Sequence, residues 1–368
     1  MDLAPGMVRA SPFQVSKPGP GERQCLELVT GRRYQLSEAE DRLLAACRDD
    51  RALASLNPEE TNTCATLLDR LLILDRNALN VLGGLGFRDI DFEVSGACNA
   101  SCVFCPRDRL KQGRGANVMS RHNFEVIVEK LLPVAHNVGF VGIGEPTLNR
   151  YLPEFVAHFK RHGKTVIVVT NGSLLDDRLI DALMAAGLDA LTVSFTGLSK
   201  ASYEDHMVGL KFEDVMSRID NTLTRTAGRL PVSLTAVQTL RNREELVEFE
   251  HYWQTRGASA YIVPCHTRGS TIVEPTLIDN QWPKALHGRS EPAAMRCALF
   301  NARAFIAANG DVLACCHDIS GQTVLGNLLE ESVETIAARK LAVIASRTLF
   351  PLCRNCDEPR RHELVALG

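Results

Sequence analysis

An α/β fold built on a parallel sheet, with a smaller unit at each end of the chain, is predicted by three observations. Six short apolar segments alternate with helical patterns between Phe87 and Gly269. The connections between them are short, and strands alternating with helices pair in parallel with the helices packed on the sheet. Outside this region the pattern changes, to a short helix-rich stretch before Gly83 and a turn-rich, cysteine-rich stretch after Gly288. A length of 368 residues accommodates that division, since domains commonly run to roughly 100–200 residues.

Met1 to Glu22 reads as a loose N-terminus rich in Pro and Gly. Residues 23–86 read as a small domain. In "QCLELVTGRRYQL" two strand-like stretches flank a Thr30-Gly31 turn, and "SEAEDRLLAAC" follows with Ser37 as N-cap and Glu40 three positions on. That is the capping-box pattern. "NPEETNTCATLLDRLLILD" gives a second helix with Leu67, Leu68, Leu71 and Leu72 on its apolar side, and "GGLG" at Gly83–Gly86 marks a linker. Residues 87–270 then carry the repeats. The strands are "DIDFEVS", "NVGFVGIG", "TVIVVT", "DALTVSF", "VSLTAV" and "AYIVP", and the helices between them include "NFEVIVEKLLPVAH" and "FEDVMSRIDNTLTRT". Right-handed crossovers curl such a sheet into a full or partial barrel, with functional residues at the carboxyl ends of its strands. Residues 288–368 form the last unit: a hairpin turning at Asn309-Gly310, the helix "SVETIAARKLAVIAS" and the C-x-x-C loop "PLCRNCDEPR".

Composition excludes several classes. The net charge of −3 provides no footprint for a polyanion, so tight nucleic-acid binding is not favoured. No apolar run reaches the ~20 residues of a membrane span, and the first residues lack the apolar core of a signal peptide. A cytoplasmic chain is therefore expected, where disulfides are rare. Its twelve cysteines need another use, and seven fall into two groups, Cys98/Cys102/Cys105 and Cys315/Cys316 with Cys353/Cys356. Clustered cysteines in a reducing compartment point to metal.

The first group, "SGACNASCVFCPR", follows the first strand of the repeats, where a functional site is expected. A disulfide takes two thiols and a structural zinc takes four ligands. Three thiolates on a cubane iron–sulfur cluster leave one iron open. On spacing alone zinc stays open too, with a distant fourth ligand such as His122 or His136.

The pattern C-x-x-x-C-x-x-C, with Phe104 before its last cysteine, resembles the signature of the radical S-adenosylmethionine (SAM) enzymes. "GIGEP" at Gly142–Pro146 resembles that family's GGEP element, and "TNG" at Thr170–Gly172 is another frequent feature of it. All three stand in order at successive strand ends. The resemblance covers Phe87 to Gly269 and implies a partial (β/α)6 barrel. It implies a [4Fe–4S] cluster on Cys98, Cys102 and Cys105, with S-adenosylmethionine chelating the open iron. It also implies reductive cleavage to a 5′-deoxyadenosyl radical that abstracts a hydrogen atom, and an electron donor of the flavodoxin or ferredoxin type. Glu145 then offers a carboxylate to the methionyl ammonium, while Gly142 and Gly144 allow close approach of the ligand. Phe104 and Val237 border the adenine. Asn171 and Ser194 contact ribose or carboxylate, or serve only in strand-end turns.

Cys297, Gly310, Cys315 and Cys353-x-x-Cys356 resemble the SPASM and twitch extensions of radical enzymes. His362 stands where a full SPASM domain has a further cysteine, so the resemblance implies one auxiliary [4Fe–4S] cluster of the twitch type, held by Cys297, Cys315, Cys353 and Cys356. Cys316 is a spare thiol. A zinc knuckle has similar spacing. Cys265, at the end of the sixth strand, is either a hydrogen-atom donor to a substrate radical or a small buried hydrophobe. Neighbouring His266 and Arg268 bind a substrate carboxylate or remain solvated. Cys25, Cys47 and Cys64 are expected to be structural.

Residues 23–82 resemble the winged-helix-like module that binds leader peptides of ribosomally made natural products; the other reading is a cap on the barrel. The first makes the substrate a peptide. The second favours a radical dehydrogenase, epimerase or lyase acting on a sugar, cyclitol or nucleoside in antibiotic biosynthesis. A non-catalytic iron–sulfur or zinc protein is the third reading.

Overall fold

The computed structural model describes residues 3–17, 23–107, 113–269, 271–272, 274–278, 293–346, 350–354, 356–358 and 362–366. Its N-terminal unit contains β1 (Met7–Ala10), β2 (Gln14–Lys17), β3 (Arg23–Glu27), β4 (Arg33–Leu36), β5 (Arg51–Ala52) and β6 (Ile73–Leu74). β1 is the centre of a small antiparallel sheet between β5 and β6, and β2–β3–β4 form a second one. The N-terminal stretch expected to be loose thus supplies two strands. Leu3, Val8 and Phe13 are buried, and these few apolar anchors override the coil-like composition around them.

Helix α1 (Glu38–Ala46) starts at Ser37, whose side chain and that of Glu40 cap each other's backbone. α2 (Pro58–Asp69) has the same device at Asn57 and Glu60. It stops before the last two leucines assigned to it, because Leu71 takes a left-handed φ of 59°. α3 (Arg76–Leu85) replaces the expected GGLG linker. The glycines serve packing: a Cβ on Gly83 would lie 3.3 Å from that of Ala337. This lets α3 press against a C-terminal helix.

The central strands are β7 (Asp89–Phe92), β8 (Asn137–Phe140), β9 (Thr165–Thr170), β10 (Ala190–Ser194), β11 (Val232–Gln238) and β12 (Ser259–Pro264). Each is parallel to the next in chain order. Between them lie α4 (Arg121–Leu131), α5 (Leu152–Arg161), α6 (Asp177–Ala185), α7 (Lys200–His206), α8 (Phe212–Thr226) and α9 (Phe249–Gln254). Alternate residues explain the layering. Val232, Leu234 and Ala236 join the core under the helices, while Ser233 and Thr235 face the other way and Ser233 meets Thr192 at 2.9 Å. At the β7–β9 end the core is aromatic, with Phe124 stacked on Phe155 at 3.8 Å and Phe92 between Phe124 and Phe140.

The C-terminal region contains β13 (Ala293–Cys297), α10 (Ala298–Asn301), β14 (Arg303–Ile306), β15 (Asp311–Leu313), β16 (Val324–Asn327), α11 (Val333–Ser346), α12 (Pro351–Arg354) and β17 (His362–Ala366). The hairpin expected at Asn309-Gly310 is β14–β15, with Gly310 at φ 90°. β14 also pairs in parallel with β7, Arg303 opposite Asp89 and Ile306 opposite Phe92. One nine-stranded sheet results, in the order β12-β11-β10-β9-β8-β7-β14-β15-β16. β13 and β17 pair separately, with Cys297 opposite His362. No helix among the described residues is long and apolar enough to cross a membrane.

Candidate active site

The loop bearing Cys98, Cys102 and Cys105 leaves the carboxyl end of β7 and is held along its length. Glu145 N–H donates to Ala97 O (2.8 Å), Ser101 N–H to Val208 O (2.7 Å) and Val103 N–H to His206 O (3.0 Å). Arg107 reaches back to Cys98 O and to Ser101 Oγ. The Cys102 sulfur lies 3.5 Å from Met207 Sδ, and the Cys98 sulfur accepts the Ala100 N–H at 3.4 Å. Burial pushes the Cys98 thiol up and the Cys102 thiol up to about 12. Such thiols ionise when a metal compensates the charge. The histidines considered as a fourth zinc ligand do not join them: His122 starts α4 and His136 precedes β8 at the opposite end of the sheet, both exposed.

The GIGEP and TNG elements sit beside this loop and are bonded into the chain around it. Glu145 is 2% exposed. Its Oε1 accepts from Thr147 N (3.0 Å), Thr147 Oγ1 (2.6 Å) and Thr170 Oγ1 (2.6 Å), and its Oε2 from Asn171 N (2.7 Å). The carboxylate therefore splices the β8 exit to the β9 exit. Gly142 and Gly144 approach the chain itself: a Cβ would fall 2.8 Å from Glu93 Cγ in the first case and 2.1 Å from Ser95 O in the second. Asn171 Nδ2 donates to Asn99 Oδ1 (2.9 Å), and its Oδ1 accepts from Ser173 N (2.9 Å), which ties the β9 exit to the cysteine loop.

Phe104 and Val237 come together around Cys265, Ile272, Leu277 and Ile278, which places the β11 and β12 exits against the cysteine loop. Ser194 is half-buried at the end of β10. Cys265 is 5% exposed, and burial pushes its thiol up to about 11, so it keeps its S–H bond. His266 is neither solvated nor free for a substrate, since its Nε2 lies 3.0 Å from Glu358 Oε2. Arg268 takes a left-handed φ of 49° in the turn that follows.

Cys297, Cys315, Cys353 and Cys356 line one small pocket together with Leu299, Phe300 and Leu352. Burial holds the Cys315 thiol well above its ordinary range, Cys353 up to about 11 and Cys356 up to about 12. The backbone N–H of Glu358 is directed at the Cys356 sulfur. Four converging thiols, one of them with an N–H donor, fit an iron–sulfur cluster. Cys316 packs instead against Phe305, Ala307 and Leu313. Cys25, Cys47 and Cys64 are buried in the N-terminal unit.

The sequence reading missed the buried pair that closes the cysteine loop. Arg114 binds Glu93 in bidentate fashion, at 2.5 and 2.7 Å. Glu93 also accepts from Ala308 N (3.3 Å), and Arg114 Nε donates to Ile319 O (3.2 Å). A signal existed. Asp89, Asp91 and Glu93 alternate with apolar residues, so one face of an interior strand is acidic and needs partners.

The family model described as the radical SAM superfamily matches residues 92–248, and that described as an iron-sulfur cluster-binding domain matches residues 297–357. A probable GTP 3′,8-cyclase of Saccharolobus islandicus is 31% identical over 192 residues, 50% of this chain and 59% of that protein. One from Methanothermobacter thermautotrophicus is 30% identical over 179 residues, 46% and 55% respectively. The matches thus span less than two thirds of these relatives. Among solved structures, Streptococcus suis SuiB bound to precursor peptide SuiA has a TM-score of 0.57 at 14% identity, covering 95% of this chain and 94% of that one. Native anSMEcpe with bound AdoMet has a TM-score of 0.53 at 15% identity, covering 74% and 91%.

Proposed function

The chain belongs to the radical SAM superfamily, with a C-terminal iron–sulfur domain, S-adenosylmethionine and two iron–sulfur clusters as cofactors, and from that premise we propose that it modifies a ribosomally made peptide. The observation that carries this reading is the β2–β3–β4 sheet. Among the described residues β2 and β4 each have β3 as their one strand partner, and an extended peptide binds by adding to the outer strand of such a sheet. The likeness to SuiB with its precursor peptide spans 95% of this chain and so includes this unit.

Cys98, Cys102 and Cys105 hold the catalytic [4Fe–4S] cluster, and Cys297, Cys315, Cys353 and Cys356 close an auxiliary one. When bound, the reduced cluster and S-adenosylmethionine supply the radical that takes a hydrogen atom from the substrate. The chain's own residues hold and shield. Glu145 and Asn171 lock the strand ends beneath the cysteine loop, Phe104 and Val237 give an apolar wall, and Cys265 keeps its hydrogen on sulfur beside that wall. An electron donor of the flavodoxin or ferredoxin type completes the system.

A nucleotide substrate is the second reading, favoured by the GTP 3′,8-cyclase relatives of the core. Two arginines beside the loop weigh against it. Arg107 binds Cys98 O and Arg114 binds Glu93. A triphosphate needs such cations for itself.

The test is 5′-deoxyadenosine formation by anaerobically reconstituted enzyme given reductant and size-separated cell extract. Stimulation by peptides supports the proposal. Stimulation by small metabolites alone transfers it to the second reading.

A further inference from the structure

His317 stands two residues beyond Cys315, and Glu358 two beyond Cys356, and both line the pocket of the four cysteines, with the Glu358 backbone N–H on the Cys356 sulfur. Their side chains approach each other, with His317 Nε2 4.0 Å from Glu358 Oε2. His266 reaches the same oxygen from the β12 exit at 3.0 Å, and the two imidazole rings are 4.6 Å apart. The three side chains are only 14%, 5% and 9% exposed, in the order His266, His317, Glu358.

Two histidines and a carboxylate within 4.8 Å have the size of a cation site. The protonation of His266 opposes that use. Its Nδ1 accepts the Arg268 N–H at 3.3 Å, so the ring proton resides on Nε2, directed at Glu358. A histidine binding metal through Nε2 carries its proton on Nδ1 and needs an acceptor there. The array is therefore a hydrogen-bonded strap.

We propose that His266 is a positioning residue for the auxiliary cluster: by holding Glu358, it keeps that residue's backbone N–H on the Cys356 sulfur and registers the cluster against the β12 exit, next to Cys265. The proposal rests on the auxiliary-cluster reading above. The surrounding contact is built for register. Asp357 accepts from Thr267 N (3.0 Å) and Thr267 Oγ1 (2.8 Å). A Cβ on Gly269 would fall 2.2 Å from Leu352 Cδ1. Hydrogen bonds to cluster sulfurs raise a cluster's reduction potential, so loosening the strap lowers it.

The experiment is a potentiometric titration of the reconstituted full-length enzyme, followed by electron paramagnetic resonance, with iron, sulfide and zinc counted per chain. In His266→Ala the auxiliary midpoint shifts to lower potential, while that of the catalytic cluster stays in place. His266→Gln, which retains an N–H for Glu358, restores most of the shift. Should His266→Ala fail to hold the second cluster, Glu358→Gln provides the reading: it keeps an acceptor for His266, removes a negative charge and moves the midpoint upward. An unmoved auxiliary midpoint with full iron overturns the proposal, as does one equivalent of zinc that His266→Ala loses. Wild-type enzyme with iron for a single cluster refutes the auxiliary-cluster reading itself.

Discussion

Arg114→Met isolates the buried pair at the root of the cysteine loop. The Arg114 side chain is 5% exposed and that of Glu93 0%, with two parallel N–H···O bonds at 2.5 and 2.7 Å. Removing the arginine leaves a carboxylate in the interior with, among the described residues, the Ala308 N–H (3.3 Å) and the Ile143 N–H (3.5 Å) as its remaining donors. Breaking a buried pair in this way costs about 3–5 kcal/mol, whereas replacing both charges is close to neutral. The double variant Glu93→Gln, Arg114→Met should therefore recover most of the loss, as glutamine can still accept one of those N–H groups. Denaturant unfolding of the single variants and the double variant closes the cycle. Because Glu93 precedes the cysteine loop and Arg114 follows it, the single variant should also lose catalytic-cluster iron before auxiliary iron. Lys200→Ala, which removes an exposed pair with Glu213, is the control and should leave the midpoint unchanged. A loss below about 1 kcal/mol in Arg114→Met, or a double variant as damaged as the single one, would refute the argument.

Three further outcomes are expected. Replacing Cys98, Cys102 and Cys105 by Ala abolishes S-adenosylmethionine cleavage while roughly half the iron remains, and replacing Cys297, Cys315, Cys353 and Cys356 removes the other half; iron and 5′-deoxyadenosine assays check both. Gly144→Ala should yield chain without the catalytic cluster, as its Cβ would lie 2.1 Å from Ser95 O, and normal iron retention would contradict that. Lys340 is buried where α11 meets α3 and β14, donating to Gly86 O (2.6 Å) and Arg303 O (2.7 Å). Burial lowers its ammonium from 10.5 to about 7. Between those values the unfolded chain binds one more proton, so stability rises with pH, by at most ~1.4 kcal/mol per unit. The neutral amine still has two hydrogens for the two carbonyls. Lys340→Met should lack this rise, and parallel stability curves for the two proteins from pH 7 to 10 would exclude it.

What could be read from the sequence was whatever has a local cause. The six strands carry their own alternation, Ser37 and Glu40 cap within four residues, and Asn309-Gly310 turns by its own backbone preference. The two cysteine groups were likewise visible as spacings. What escaped depends on distant partners. GGLG reads as a linker until Ala337 packs against Gly83. The Pro/Gly-rich start reads as coil until β5 and β6 flank it. The bonds that Thr147, Thr170 and the Asn171 amide make to Glu145 escaped because they come from two strand ends. His266 reads as a loop residue because its partner, Glu358, lies across the fold in the C-terminal loop.

The pairing of β14 with β7 makes the C-terminal unit a wall of the catalytic core and not an attachment to it. Cutting the chain ahead of β13 would expose the full edge of β7, the strand that launches the cysteine loop, as a bare template for another chain to pair with. Glu93 would lose the Ala308 amide in the same cut, and Arg114 the Ile319 carbonyl. Losing the C-terminal unit should thus unsettle the catalytic cluster as well as remove the auxiliary one.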